Sequence, residues 1–188
     1  MSSTSPKKHI VFDVVGTLVS YSTFYTALET RLGPKLLAQG IKPSLLAFTW
    51  IEAAEREYTY LSISGKYMPF FDVFRALFWR MLFKAGVEKP REFASVEDLD
   101  FIMTSYQNLT PRPGAAECFN ILRAGGFTMW AYTAGDLKRV GGYFSQANIH
   151  SPEENLLSCD TYGIGKPAKE SYIPVIEKLR KEGGDVEC

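Results

Sequence analysis

The sequence predicts an α/β fold, a doubly wound parallel sheet with an inserted all-helical cap. Short apolar runs without polar alternation, at 10–12 and 127–132, are typical of strands covered on both faces of a parallel sheet. After residue 109, helical and strand-like segments alternate, as they do in doubly wound folds. From about residue 22 to residue 108 only helical signals occur, which indicates an insertion after the first strand.

Glycine, proline and capping signals divide the predicted cap into helices. They cover about 22–32, 43–62, 70–85 and 95–107. Gly33 and Pro34 are predicted to end the first, and Ser95 with Asp98 has the spacing of a capping box at the start of the last. The third carries an aromatic stripe, which indicates core packing or a face that meets another subunit.

The remainder of the chain is predicted to complete the sheet. The predicted elements are a helix at 115–124, a strand at 127–132, a helix to about 147, a strand at 156–162 and a helix at 168–181. The buried face of that last helix is predicted to hold Tyr172, Val175, Ile176 and Leu179. Residues 186–188 have the character of a further strand. The predicted domains are therefore a Rossmann-like core, 1–20 with 109–188, and a helical cap, 21–108.

Composition narrows the classes of partner. The 21 basic and 21 acidic side chains balance, which argues against a nucleic-acid or anionic-membrane surface. Cys118, Cys159 and Cys188 make neither a disulfide framework nor a zinc pattern, and their spacing favours a reducing, cytoplasmic location. The polar N-terminus lacks the apolar segment of a secretory signal. We expect a small-molecule substrate.

Three chemically complementary side chains are predicted to meet at one edge of the sheet. Asp13, Thr133 and the Lys166 region each follow a predicted strand, and ligands bind at the carboxyl ends of parallel strands. Asp13 could act as a nucleophile, while Thr133 and Lys166 could hold an anionic oxygen. Gly16 would let the loop curl so that its N–H groups face an anion. Each residue alone has an ordinary alternative, as a cap or a solvated side chain.

These motifs resemble those of the haloacid dehalogenase superfamily of aspartate-nucleophile enzymes. The stretch DVVGTL at 13–18 is similar to its first motif, Thr133 to its second and Lys166–Pro167 to its third. The predicted helical insertion lies where that superfamily carries its cap domain. The resemblance implies a Rossmann-like core, a hydrolase activity and an Asp13 nucleophile.

Within the superfamily, the motifs most resemble the 2-haloacid dehalogenases. Phosphatase branches usually carry a second acid two residues after the nucleophile, whereas this chain has Val15, so the resemblance implies a metal-independent enzyme without a cofactor. Tyr172 follows Lys166 by six positions, as an active-site tyrosine does in the dehalogenases. The implied catalytic residues are Asp13, Lys166 and Thr133. The implied substrate-binding residues are Val14, Val15, Thr17, Ala134, Tyr172 and Arg56.

Several departures keep a second function open. Glu52 occupies the position of the cap arginine that holds the leaving halide, although Arg56 lies one turn further on. Ala134 replaces the usual asparagine, and the acidic fourth motif has no counterpart, with only Asp136 and Asp160 nearby. The alternative is therefore a divergent or truncated member that has lost hydrolysis and acts as a binding protein or a non-hydrolytic catalyst on a small organic acid.

The missing fourth motif also predicts an open sheet edge. In the superfamily the strand of that motif lies beside the nucleophile strand, so 10–12 would form an exposed apolar edge here. We expect either that the sequence is a shortened version of a longer protein, or that a homodimer or another partner covers this edge.

Overall fold

A computed structural model describes residues 7–151 and 153–183. The described chain divides into two compact units. The sheet unit contains the residues up to Val19 and those from Pro111 onward, and the helical unit is Ser20–Thr110. The α/β fold class with a parallel sheet is confirmed.

The strands fall into two sheets. They are β1 (Lys8–Phe12), β2 (Val19–Ser20), β3 (Thr110–Pro111), β4 (Phe127–Thr133) and β5 (Leu156–Ser158). The main sheet has the order β1-β4-β5 and is parallel throughout, with Phe12 opposite Ala131 and Thr133 opposite Ser158. The short strands β2 and β3 pair where the chain passes from one unit to the other. All three carboxyl ends of the main sheet therefore lie at the same edge.

Helices make up most of the remaining described chain. They are α1 (Ser22–Leu37), α2 (Pro43–Ile63), α3 (Phe70–Ala76), α4 (Phe78–Lys84), α5 (Pro90–Phe93), α6 (Val96–Gln107), α7 (Ala115–Ala124), α8 (Leu137–Gln146), α9 (Cys159–Tyr162) and α10 (Lys169–Lys181). A 3-10 turn covers Glu153–Asn155. None of the described helices combines the length and the apolar character that crossing a membrane needs.

Strand β4 is the centre of the sheet unit. Its residues from Met129 to Thr133 are all buried, as an apolar strand with neighbours on both sides requires. Strand β1 has a paired strand on one side only among the described residues, and Val11 is 38% exposed. Phe12 stacks on Phe119 of α7 with ring centroids 5.2 Å apart, which fixes the end of β1. A partner at the open side of β1 stays a prediction, and residues 186–188 lie outside the described residues.

The helical unit is built around an aromatic core. Trp50 of α2 stacks on Phe74 of α3 with centroids 4.3 Å apart and donates its indole N–H to the Phe74 carbonyl at 2.8 Å. Phe24 of α1 packs edge-to-face against Phe74. Tyr106 of α6 packs against the same ring in a tilted arrangement. The aromatic stripe therefore forms core. The predicted single helix over it is two helices, α3 and α4, separated at Leu77.

Two predicted boundaries in the chain are wrong. Helix α1 continues through Gly33 and Pro34 to Leu37, because one missing backbone hydrogen bond is outweighed by the complete burial of Leu36. Strand β5 ends at Ser158 instead of residue 162, because the Ser158 hydroxyl accepts the Asp160 N–H and begins α9. The short helices α5 and α9 were not predicted from the sequence.

Candidate active site

The predicted nucleophile lies in a tight loop directly after β1. Asp13 follows Phe12, and Gly16 adopts a φ of +91°, which only glycine takes readily. The Val14 carbonyl accepts the N–H groups of Leu18 and Val19 at 2.8 and 2.9 Å, which closes the loop. These contacts fix the backbone on which the Asp13 carboxylate is presented.

Most of the loop N–H groups that were expected to face an anion already donate hydrogen bonds within the loop. Those of 16–19 donate to the Val14 and Val19 carbonyls and are occupied. The N–H groups of Val14 and Val15 have no backbone acceptor among the described residues. Val14 is fully buried, so of these two amides only that of the partly exposed Val15 is accessible to an anionic group.

Both oxygens of the Asp13 carboxylate are hydrogen-bonded. Lys166 Nζ lies 2.6 Å from Oδ1, and the Thr17 hydroxyl donates to Oδ2 at 3.0 Å. The side chain of Asp13 remains 45% exposed, against 21% for Lys166. The structure thus brings residues 153 positions apart in sequence into direct contact and leaves the carboxylate accessible to a small molecule.

Lys166 reaches the carboxylate across the end of β4. Besides Asp13, its ammonium donates to the Tyr132 carbonyl at 3.0 Å and lies 5.1 Å from the centroid of the Tyr132 ring. The segment that carries it leads into α10, whose first turn is closed by the Ser171 hydroxyl donating to the Ala168 carbonyl at 2.7 Å. Lys166 is therefore held by contacts at both its backbone segment and its head group.

Thr133 is buried at the end of β4 and supports the next loop. It is 2% exposed, and its Oγ1 accepts the Gly135 N–H at 3.0 Å. The Gly135 carbonyl in turn accepts the Ser158 hydroxyl at 2.7 Å. Since the Thr133 oxygen is already an acceptor, its own proton is available for donation. No hydrogen bond joins Thr133 to Asp13 within 7–151 and 153–183, so its catalytic role stays a prediction.

Of the other predicted site residues, Tyr172 lies near Lys166 in the sheet unit, whereas Arg56 lies in the helical unit. Tyr172 is 38% exposed, so its assignment to the buried face of α10 is wrong; Ser171 is buried there instead. The Tyr172 ring lies edge-on to Tyr132, with centroids 5.6 Å apart, close to Lys166. Arg56 belongs to the helical unit and forms a 3.9 Å ion pair with Glu57. The substrate-binding roles of Ala134, Tyr172 and Arg56 stay predictions.

Two acids that might have replaced the fourth motif have ordinary structural positions. The Asp136 carboxylate accepts the Arg139 N–H at 2.9 Å and caps α8. Asp160 lies exposed in the first turn of α9.

Arg112 is a site-building residue that sequence reasoning missed. Its N–H donates to the Leu18 carbonyl at 2.8 Å and its guanidinium to the Gly16 carbonyl at 2.9 Å. It therefore braces the nucleophile loop from a position almost a hundred residues away. A Pro-Arg-Pro-Gly stretch reads as a turn, and nothing in its composition identifies a distant acceptor.

The donor groups around Asp13 do not fit a divalent metal. Val15 provides no carboxylate at the position where a second acid would stand, and the Asp13 carboxylate is already paired with an ammonium. Across 7–151 and 153–183 no group of three His, Cys, Asp or Glu side chains is arranged to hold an ion.

Comparison with protein families identifies the chain. The model of the haloacid dehalogenase-like hydrolases matches residues 7–186. The chain belongs to this family. Its sheet unit contains Asp13, Thr133 and Lys166, and their assignment to the family's first three motifs stays a prediction. A search of curated proteins finds no match.

Solved dehalogenases share the fold. The L-2-haloacid dehalogenase of Xanthobacter autotrophicus is 22% identical with a TM-score of 0.74, over 93% of this chain and 65% of that one. The L-2-haloacid dehalogenase RSc1362 is 19% identical with a TM-score of 0.75, over 97% and 75%. A dehalogenase solved with an intermediate complex is 18% identical with a TM-score of 0.75, over 94% and 72%. This chain thus spans about two thirds to three quarters of their length.

Proposed function

We propose that this family member is a hydrolase that uses Asp13 as its nucleophile and removes halide from a short 2-haloacid. The observation that carries the proposal is the accessible Asp13 carboxylate, held at 2.6 Å by Lys166 and at 3.0 Å by Thr17. A carboxylate held this way is oriented for attack, and its exposure lets a small molecule reach it. The similarity to solved L-2-haloacid dehalogenases supports the choice of substrate class.

The first chemical step would form an ester. An oxygen of Asp13 attacks C2 of the substrate from the side opposite the halogen, a C–O bond forms, and the C–halogen bond breaks with both electrons leaving on halide. The N–H of Val15 and the remaining N–H of the Lys166 ammonium are donors for the substrate carboxylate. These donors hold the reacting carbon near Asp13.

The second step would regenerate the enzyme. Water adds to the carbonyl carbon of the Asp13 ester, and the ester C–O bond on the Asp13 side breaks. This gives the 2-hydroxy acid, the free Asp13 carboxylate and one proton for each halide released. Thr17 and Lys166, which hold the two carboxylate oxygens before reaction, are placed to stabilise the negative charge that develops on them.

Halide release from a panel of 2-chloro- and 2-bromoacids tests the proposal. We expect release with the wild-type chain and its loss with Asp13→Asn, because the amide nitrogen lone pair is delocalised and is a poor nucleophile. Asp136→Asn is the matched control, since Asp136 caps a helix in the same unit and should leave release unchanged. Mass spectrometry of protein mixed with substrate should show an adduct on Asp13.

The alternative function gives a different result in the same assay. Glu52 in place of a halide-binding arginine favours a protein that binds an organic acid without hydrolysing it. That protein would bind the 2-hydroxy acid product, detected by calorimetry, yet release no halide and form no adduct. Halide release unaffected by Asp13→Asn would contradict both the nucleophile and the proposed reaction.

A further inference from the structure

Tyr132 contacts Lys166 in two separate ways. It is the penultimate residue of β4 and is only 3% exposed. Its backbone carbonyl accepts the Lys166 ammonium at 3.0 Å, and its ring lies under the same ammonium, 5.1 Å from the centroid. A carbonyl at this place needs no particular side chain, so the ring is the feature that calls for an explanation.

The hydroxyl of Tyr132 anchors the ring at its far end. It donates to the Ser171 carbonyl in α10 at 2.6 Å and accepts the Cys159 thiol of α9 at 3.2 Å. Burial and the Cys159 hydrogen bond raise the pKa of Tyr132, so the phenol stays protonated and able to donate at neutral pH. Ser171 is itself fully buried and lies five residues after Lys166. The ring therefore joins β4 to the segment that carries the lysine.

A lysine side chain needs such support to act as a fixed charge. Immobilising its four-carbon stem costs rotamer entropy. An aromatic face attracts an ammonium and so offsets part of that cost. With Asp13 and the Tyr132 carbonyl as acceptors, one N–H of Lys166 has no protein partner among the described residues. A fixed ammonium directs that N–H, whereas a mobile one does not.

We propose that Tyr132 is a positioning residue for Lys166: its anchored ring holds the ammonium against Asp13 with one N–H directed at the substrate carboxylate. The proposal rests on the proposed function for the identity of that carboxylate, but the placement of Lys166 by the ring does not depend on it. Nothing in the substrate needs to touch Tyr132, since the residue acts through Lys166.

The variants separate the ring from its hydroxyl. Tyr132→Leu removes the aromatic face and keeps a buried apolar side chain, while Tyr132→Phe keeps the face and removes the anchor. The backbone carbonyl is present in both. Tyr143→Leu is the matched control, because Tyr143 is also buried in the sheet unit and its ring lies 5.7 Å from a different cation, Arg139. Near-ultraviolet circular dichroism checks that each variant is folded.

The first measurement needs no activity. Nuclear magnetic resonance of protein labelled at lysine, with Lys166→Arg for assignment, reports the Lys166 ε-methylene. In the wild type we expect the Lys166 ε-methylene resonance to be shifted upfield by the ring current of Tyr132 and to show nuclear Overhauser contacts to that ring. We expect the upfield shift to be lost in Tyr132→Leu but kept in Tyr143→Leu. Absence of those contacts in the wild type overturns the proposal, even if the leucine variant does not fold.

The second measurement is halide release from 2-chloropropionate. We expect kcat/KM to fall about 10-fold in Tyr132→Leu and about 3-fold in Tyr132→Phe, with Tyr143→Leu close to the wild type. If the wild type releases no halide, the proposed function fails and the resonance measurement alone decides the role of Tyr132. If the wild type is active and Tyr132→Leu changes neither the resonance nor the rate, the role of Tyr132 fails and the function stands.

Discussion

Thr17 shows how a single hydroxyl contributes to the site. Its donation to Asp13 Oδ2 at 3.0 Å complements the Lys166 contact on the other oxygen. We expect Thr17→Val to lower kcat/KM for halide release about 10-fold. A hydrogen bond to a charged acceptor is worth about 1.5–3 kcal/mol, and exposure of Thr17 favours the lower end.

The matched variant for this prediction is Thr17→Ser. Serine keeps the hydroxyl at the same branch point and should retain most of the wild-type rate. Valine keeps the shape of threonine, so a loss confined to valine reports the hydrogen bond and not the packing. Equal rates for the two variants would contradict the role given to Thr17.

Asp13 and Lys166 could be predicted from the sequence. Arg112 and Tyr132 could not, because their side chains act through contacts to backbone carbonyls. Asp13 and Lys166 are paired as expected: Asp13 directly follows β1, Lys166 follows β5 after the short helix α9, and parallel strands end at one edge. Tyr132 reads as one more apolar residue in a buried strand. Its hydroxyl partner is a carbonyl, which is present at every residue and therefore leaves no mark in the sequence.

Helix α6 shows what local sequence determines at the scale of an element. Ser95 and Asp98 form the predicted capping box, with reciprocal hydrogen bonds of 2.8 and 3.2 Å. The end of α1 was not predictable in this way, because continuation past Pro34 depends on the burial of Leu36 in the assembled unit. Capping is encoded within four residues, and burial is encoded by the rest of the chain.

Asp98 and Asp100 of α6 offer a matched pair for a stability prediction. Each carboxylate forms an ion pair with an arginine that donates a hydrogen bond to it. Arg31 lies 2.6 Å from Asp98, and Arg75 lies 2.5 Å from Asp100. The side chain of Asp98 is 12% exposed and also caps the helix, whereas that of Asp100 is 55% exposed. We expect Asp98→Ala to lower the free energy of unfolding by about 2 kcal/mol, and Asp100→Ala by less than about 1 kcal/mol.

Urea unfolding followed by circular dichroism at 222 nm measures this difference. Because the two ion pairs have almost the same length, the comparison isolates burial and capping from distance. Equal losses for the two variants would show that the capping box adds nothing measurable to the ion pair.

At the scale of the whole molecule, the two units respond to acid over different pH ranges. In the sheet unit, burial and the nearby Lys7 lower the pKa of His9 below 6.5, with Glu182 opposing. In the helical unit, burial alone would raise the pKa of Asp98, but the Ser95 N–H and Arg31 outweigh it and lower the pKa below 3.8. Each group therefore binds a proton more readily in the unfolded chain than in the folded one.

The sign of the effect is the same in both units, and the windows differ. As pH falls below 6.5 toward the folded pKa of His9, the unfolded chain takes up a proton that the folded chain excludes, and the sheet unit loses stability. The contribution of Asp98 is present above pH 3.8 and is lost only as pH falls through its lower folded pKa. The sheet unit should therefore weaken first on acidification.

The three tryptophans allow each unit to be followed separately. Trp130 donates to His9 Nδ1 at 2.9 Å in the sheet unit, while Trp50 and Trp79 belong to the helical unit. With 5-fluorotryptophan and fluorine magnetic resonance, we expect the urea midpoint of the Trp130 signal to fall between pH 7 and pH 5 and those of Trp50 and Trp79 to stay nearly constant. His9→Gln should flatten the Trp130 dependence, and His150→Gln, at an exposed histidine, should not. A Trp130 midpoint that is independent of pH in the wild type would show that His9 does not couple protonation to the stability of the sheet.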